Sequence, residues 1–195
     1  MEEHSSSVNQ RIAQRVRELR AASELSLDAL ASKSGVSRSM ISLIERGESS
    51  PTAVVLEKLA SGLGVVLASL FDAPTAAPSP LARHAQQPCW RDPASGYVRR
   101  NVSPPGARQR VRIVEVQFPP GARVAFENAG QDAAFQQQVW VLEGAMFITV
   151  GADSYQLRAG DCLAMQLDKP TMFHNATGKP ARYAVIIAPE GATRR

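Results

Sequence analysis

Two spacings of hydrophobic residues divide the chain. Over the first 72 residues, apolar side chains recur at intervals of three and four positions, the spacing of helices that bury one face. Beyond residue 97, short apolar runs alternate with polar residues, the spacing of strands that bury one face. The pattern predicts an all-α N-terminal domain of five helices, followed by an all-β C-terminal domain.

Residues 27–47 contain two short helical patterns joined by a turn. Gly35 separates them, because glycine enters the left-handed conformation that a tight turn between helices requires. Ser37 suits the N-cap of the second helix, and the spacing places Ile41 and Ile44 on its inner side. The polar side chains left outside are Arg38, Ser39, Ser42 and Arg46. This layout is typical of a helix-turn-helix whose second helix enters the DNA major groove.

The N-terminal 72 residues resemble the XRE family of helix-turn-helix repressors. The matching residues are Leu27, Leu30-Ala31, Gly35-Val36-Ser37, Ile41-Ser42, Glu45-Arg46-Gly47, Pro51, Leu56, Leu59-Ala60, Leu63-Gly64 and Leu70-Phe71. The resemblance implies binding to a double-stranded DNA operator. It also implies an ion pair between Arg20 and Glu45 that ties the first helix to the recognition helix.

The resemblance also implies which side chains meet DNA. The candidates lie on the recognition helix and in the loop after it: Ser37, Arg38, Ser39, Ser42, Arg46, Ser49 and Thr52. Arg38 opposite a guanine would be the strongest sequence-reading contact, worth about 1–3 kcal/mol. Leu43 stands where many relatives carry a polar base-reading residue, so it is either part of the core or an apolar contact to a thymine methyl group.

Charge and composition change this interpretation only slightly. The net charge is +4, but residues 1–72 carry −1 and residues 73–195 carry +5. DNA affinity must therefore come from local placement of basic side chains rather than from bulk charge. Cys89 and Cys162 lack a metal-ligand spacing and are expected as free thiols in a reducing cytoplasm. No long apolar run and no signal segment is found, so we expect a cytoplasmic protein without a membrane anchor.

The C-terminal half resembles the cupin double-stranded β-helix. Residues 73–96 are rich in proline and alanine and are predicted as a linker and lead-in, with residues 190–195 as a tail. Between them, over 97–189, short strand patterns alternate with turns, as in a β-sandwich or small barrel. The residues that carry the cupin resemblance are Pro120-Gly121, Val141-Leu142-Glu143-Gly144, Gly160-Asp161, Pro170, Phe173 and Asn175.

Metal-binding members of the cupin family present two histidines and a glutamate from one strand, and a third histidine from a later strand. Here residues 127–138 contain no histidine, and Gln137 occupies the glutamate position. Thr171 stands where the late histidine is expected, and strand alternation places His174 on the opposite face. The resemblance therefore predicts a barrel without a metal or other cofactor, and a protein that is not an enzyme.

A barrel of this size can enclose one small ligand. The predicted effector contacts are Gln137, Trp140, Thr171, Phe173, Arg110 and Arg112, with Phe126, Phe147 and Met165 as further inward candidates. Alternatively, Gln137 and Thr171 bond each other in a filled core. The two arginines belong to the basic run 99–112 and are predicted at the barrel mouth, where they would attract an anionic effector. The alternative for this run is a solvated basic face.

The sequence thus predicts a homodimeric, DNA-binding transcriptional regulator with a sensor barrel. Two alternatives stay open. Helix-turn-helix and cupin units also occur together in an iron-dependent phosphonate epoxidase, against which the missing metal ligands argue. The cupin could also act only as a dimerisation scaffold, without any effector.

Overall fold

The computed structural model describes residues 2–72, 79–104, 111–128 and 135–189. It contains a helical region followed by a region of two β-sheets, as the two hydrophobic spacings predict. Arg110, one of the predicted effector contacts, lies outside the described residues, as does the predicted tail 190–195. Within the described residues, no helix combines the length and the hydrophobicity needed to cross a bilayer.

The helical region differs from the prediction in one element. Its α-helices are α1 (Glu2–Ala22), α2 (Leu27–Ser34), α3 (Arg38–Glu45) and α4 (Ala53–Gly62). The predicted fifth helix is a 3-10 helix at Leu67–Phe71, so the described residues contain four α-helices rather than five. This segment is only five residues long and has no side-chain cap, which suits the tighter 3-10 geometry used in short pieces.

The turn between α2 and α3 follows the predicted chemistry. Gly35 has φ +68°, and its backbone N–H bonds to the carbonyl of Ala31, which ends α2. The Ser37 hydroxyl then accepts a hydrogen bond from the backbone N–H of Met40 at 3.3 Å and begins α3. Ile41 and Ile44 are fully buried, so the inner face of α3 is the predicted one.

The described residues of the β region form ten strands in two antiparallel sheets. In chain order they are β1 (Cys89–Arg91), β2 (Val98–Asn101), β3 (Arg112–Phe118), β4 (Arg123–Phe126), β5 (Phe135–Glu143), β6 (Ala145–Val150), β7 (Asp153–Arg158), β8 (Cys162–Gln166), β9 (Thr171–His174) and β10 (Ala181–Pro189). The strand orders are β1-β2-β3-β10-β5-β8 and β4-β9-β6-β7. From β3 onward, this is the eight-stranded jelly-roll order that cupins share, so the predicted fold class is confirmed for the β region.

The hairpin of β1 and β2 precedes this jelly roll in the chain. Strand β1 falls in the segment 73–96 predicted as linker and lead-in, and it pairs with β2 at the edge of the larger sheet. The hairpin also packs against the helical region, since the ring centroids of Trp90 and Phe71 are 5.6 Å apart. A Lys58–Glu127 ion pair at 3.0 Å joins the two regions at α4. The β region therefore contacts the helices directly.

Candidate DNA-binding face and ligand cavity

An ion pair between Arg20 and Glu45 holds α3 against α1. Arg20 donates from Nε to Oε1 at 2.6 Å and from NH2 to Oε2 at 2.8 Å, a bidentate arrangement. The hydrogen bond to Glu45 raises the pKa of Arg20. Arg17 adds a hydrogen bond to the Glu45 backbone carbonyl at 2.6 Å. The predicted pair is confirmed, and it sets the orientation of the recognition helix.

The opposite side of α3 carries the predicted polar face. Arg38, Ser39 and Arg46 are exposed there, and Ser42 is half-buried. Ser37 lies at the N-terminal end, where its hydroxyl both caps the helix and lies 3.2 Å from the Ser39 hydroxyl. From the N-cap to the C-cap of α3, the face therefore presents two guanidinium groups and three hydroxyl groups. A helix that lies in the major groove contacts DNA through side chains of this kind.

Both arginines of this face have carboxylate partners. Arg38 Nε lies 3.3 Å from Asp28 Oδ1. Arg46 donates to both carboxylate oxygens of Glu48, at 2.9 and 2.8 Å, and this hydrogen bonding lowers the pKa of Glu48. A DNA phosphate would compete with these carboxylates for the two guanidinium groups.

The loop after α3 brings the last two predicted residues near this face. Ser49 donates to the sulfur of Met40 at 3.8 Å, while the Thr52 hydroxyl caps α4 by accepting from the Val55 N–H at 3.4 Å. Leu43 is half-buried and Met40 is partly exposed, so α3 also presents apolar side chains. The seven predicted residues lie on α3, at its two caps and in the loop that leads to the N-cap of α4, and their contact with DNA stays a prediction.

A cavity of about 80 Å³ lies between the two sheets and extends to the helical region. Most of its wall is apolar and aromatic, with side chains from the β region that include Val116, Phe118, Val124, Phe126, Phe173, Val185 and Ile187. Three residues of the helical region also line it: Glu57, Val66 and Leu67. The polar part of the wall comes from Tyr97, Arg99, Asn128, Gln137, Thr171 and Tyr183.

Three of the predicted effector contacts lie at this cavity. Gln137, Thr171 and Phe173 are buried and line it, as does Phe126. The Thr171 hydroxyl accepts a hydrogen bond from Asn128 Nδ2 at 3.0 Å. Within the described residues, its hydrogen-bond donor is therefore Asn128 rather than Gln137. On β9, Thr171 and Phe173 are buried while His174 is half-buried on the other face, as predicted.

Two other predicted contacts are corrected. Trp140 is 48% exposed and lies on the outer face of the larger sheet. Burial along β5 alternates through Gln137, Val139 and Val141, so a residue three positions after Gln137 must face outward. Arg112 does not line this cavity, because its guanidinium bonds to Asp72 at 2.7 Å where the helical and β regions meet. Phe147 and Met165 are also absent from the cavity wall.

The cavity residues do not fit a metal ion. Its polar groups are phenols, amides, a hydroxyl, a guanidinium and the single carboxylate of Glu57, whereas iron sites of this kind use several imidazoles and carboxylates. In the described part of the chain, no three His, Cys, Asp or Glu side chains are close enough to share a metal. A barrel without a metal stays a prediction, now supported by the chemistry of its wall.

The prediction of the site missed Arg99, although the basic run containing it was noted. Arg99 is 6% exposed, and its guanidinium carbon lies 5.3 Å from the centre of the Phe71 ring. Burial lowers the pKa of Arg99, while it raises the pKa of Tyr97 to about 12 and that of Tyr183 well above its ordinary value. Strand alternation could have found Arg99, because it shares a face with Tyr97, two positions earlier.

The comparisons with known proteins agree with both regions. The family model described as "HTH_3: Helix-turn-helix" matches residues 16–69. The chain is 26% identical to the HTH-type transcriptional regulator SutR of Escherichia coli (strain K12) over 172 residues, which is 88% of this chain and 91% of SutR. It is also 26% identical to the HTH-type transcriptional regulator PuuR of the same organism over 165 residues, 84% of this chain and 86% of PuuR.

A solved structure shares the arrangement of the whole chain. The crystal structure of an HTH_3 family transcriptional regulator from Vibrio cholerae matches with a TM-score of 0.77 and 26% identity, covering 96% of this chain and 99% of that chain. The chain is thus a helix-turn-helix protein with a cupin-like β region. Residues 16–69, which match the HTH_3 model, form a helix-turn-helix domain of the XRE type.

Proposed function

We propose that this chain is a DNA-binding transcriptional regulator whose β region binds a small-molecule effector. The observation that carries the DNA-binding part is the polar face of α3, which the Arg20–Glu45 pair holds outward. Whole-length similarity to proteins named as HTH-type transcriptional regulators supports the same conclusion. The two exposed free thiols, Cys89 and Cys162, accord with the reducing cytoplasm in which such a regulator would act.

The regulator would act as a homodimer. Two recognition helices then meet half-sites one DNA turn apart, about 34–36 Å. The outer face of the larger sheet supports this state, because Trp140 and Ile113 expose large apolar side chains there. An effector that binds one dimer geometry more tightly would change the affinity of the protein for its operator. By linkage, bound operator DNA would change the affinity for the effector by the same factor.

Operator binding by an Arg38 variant tests the DNA-binding part. Genomic fragments selected by the wild-type protein would supply the operator, and fluorescence anisotropy would give its affinity. Arg38→Ala should weaken specific binding by roughly tenfold or more, since a guanine contact is worth about 1–3 kcal/mol. Arg83→Ala is the matched control, because Arg83 is exposed but lies far along the chain from α3. Equal losses in the two variants would contradict the role of Arg38.

Two other functions give different results. A metalloenzyme of the epoxidase type would contain iron in stoichiometric amount, so elemental analysis of the purified protein separates it from a regulator. A pure dimerisation scaffold would bind the operator equally in the presence and absence of every small molecule. The cavity favours the sensor over the scaffold, because a scaffold needs no cavity that reaches both regions.

A further inference from the structure

Among the residues that the structure describes, Arg99 is a buried cation without a carboxylate partner. Its Nε and NH2 atoms have no hydrogen-bond partner within the described residues, and its neighbours of opposite polarity are phenols rather than acids. Its polar neighbours are Tyr97 and Tyr183, and its guanidinium lies over the Phe71 ring. Burying an ion in this way is unfavourable unless a partner neutralises it. The cavity that Arg99 lines is therefore prepared for an anion.

The rest of the cavity limits the size and shape of that anion. A buried water needs roughly 10–15 Å³ of such space, so the cavity has room for about six non-hydrogen atoms. Beside Arg99 the wall is formed by apolar side chains, including Val116, Phe118 and Val185. A doubly charged phosphate would find one cation and a largely apolar wall. A carboxylate with a short hydrocarbon chain matches both features.

We propose that the cavity binds a small aliphatic monocarboxylate, whose carboxylate pairs with Arg99 and whose chain lies against the apolar wall. This inference rests on the proposed sensor function and names its ligand class. The Arg99 side chain lines the cavity, and its Nε and NH2 groups have no hydrogen-bond partner within the described residues. A carboxylate is the anion whose two oxygens best match the donors of a guanidinium group. An amine would meet the guanidinium as a like charge.

The position of Arg99 links this ligand to the helical region. Phe71, on which its guanidinium lies, ends the 3-10 helix of that region. Glu57 and Val66 form the same cavity from α4 and from the segment after it. A carboxylate bound at Arg99 thus contacts groups of both regions, which gives it a direct way to bias their arrangement.

Binding of butanoate to the full-length protein tests the proposal. Butanoate has six non-hydrogen atoms. Butanamide has nearly the same shape with a neutral head, and butylamine has the same chain length with a positive head. Calorimetry should give a dissociation constant for butanoate roughly tenfold or more below that for butanamide, because the charged hydrogen bonds are lost in the amide. Butylamine should not bind. Equal binding of acid and amide, preference for the amine, or no binding by any carboxylate from acetate to hexanoate would overturn the site.

Substitution of Arg99 separates a ligand contact from a structural role. Arg99→Met keeps an apolar stem and removes the unpaired charge, so this variant should lose butanoate binding while melting at the same or a higher temperature without ligand. Arg99→Lys should retain part of the preference for the acid. Arg158→Met, an exposed arginine of β7, is the control and should bind butanoate normally. A folded Arg99→Met protein that binds butanoate as tightly as the wild type would overturn the assignment.

Measuring operator binding on the same preparations distinguishes failure of the carboxylate site from failure of the proposed regulator function. Intact operator binding without binding of any carboxylate from acetate to hexanoate overturns the carboxylate site alone. Absence of any sequence-specific DNA binding by the wild-type protein overturns the proposed function. Butanoate binding that leaves operator affinity unchanged contradicts the coupling between the cavity and the recognition helix.

Discussion

Asp92 accepts a hydrogen bond from the backbone N–H of Ala53 across the boundary between the two regions, with an Oδ1–N distance of 2.9 Å. Ala53 is the first residue of α4, where unpaired N–H groups and the helix dipole favour a negative charge. Asp92 is 2% exposed, and its other carboxylate oxygen accepts from the Ser95 backbone N–H and hydroxyl. A side chain of the β1–β2 turn therefore fixes the helix that follows the candidate DNA-binding loop.

Removing this carboxylate should destabilise the whole chain. Asp92→Ala leaves the Ala53 and Ser95 donors buried without an acceptor, which should lower the free energy of unfolding by about 1–3 kcal/mol. Urea denaturation followed by circular dichroism measures the change. Asp153→Ala, at an exposed position of β7, should change the free energy of unfolding by less than about 0.5 kcal/mol. If Asp92→Ala lowers the free energy of unfolding no more than Asp153→Ala does, the stability of the chain does not depend on this contact between the two regions.

Breaking the Arg20–Glu45 pair should be more harmful than replacing it. Glu45→Leu leaves Arg20 without its partner and Arg20→Met leaves Glu45 without its partner, so we expect each single variant to lose about 3 kcal/mol in the free energy of unfolding. The double variant Arg20→Met with Glu45→Leu removes both charges and should recover much of that loss. A double-mutant cycle in urea checks this directly. If the two single losses simply add in the double variant, the pair does not act as a unit.

Neutralising Glu48 should strengthen DNA binding. Glu48→Gln replaces the carboxylate that now holds Arg46, so Arg46 becomes free to contact a phosphate. The operator dissociation constant should fall a few-fold, and its logarithmic dependence on salt should steepen by about one unit. Fluorescence anisotropy at several salt concentrations measures both. Glu24→Gln, at an exposed position outside α3 and its loop, changes the net charge equally and should have a smaller effect.

The Arg46–Glu48 contact should also depend on pH. The pKa of Glu48 is lowered by its hydrogen bond to Arg46, so the contact is fully present above the ordinary carboxyl pKa and is lost as the pH falls through the lowered value. Acidification should therefore release Arg46 in the wild-type protein but not alter it in Glu48→Gln. Carboxyl titration by NMR should show a Glu48 pKa below that of an isolated glutamate, and an ordinary value would contradict the contact in solution.

A charge at Trp140 tests the proposed dimer face. Because Trp140 is exposed, Trp140→Glu should leave the fold of the protomer intact but introduce a desolvated charge into any interface formed there. Sedimentation should then show a dimer dissociation constant raised by tenfold or more. Gln156→Glu, an exposed position of β7 in the smaller sheet, is the control. An unchanged dimer in Trp140→Glu would place the interface elsewhere.

Local patterns were sufficient for the parts of the site that depend on short-range order. The turn at Gly35, the cap at Ser37 and the polar face of α3 follow from helix spacing and turn chemistry within about 20 residues of chain. Alternation similarly placed Gln137 and Thr171 on inward faces of their strands. The same alternation excludes Trp140 from the cavity, so that error was one of application rather than of missing information.

What only the tertiary structure decided are the contacts between distant segments. The sequence by itself determined a helix-turn-helix, a β-sandwich or small barrel and the residues facing outward from α3, because spacing and turn residues act locally; the cupin topology was implied only by resemblance. It did not determine that Asp92 reaches Ala53, that Arg112 pairs with Asp72, or that Arg99 is buried over Phe71 without an acid. Those contacts depend on how the two regions pack together. The spacing of residues along the chain carries no information about the distance between side chains that are far apart in sequence.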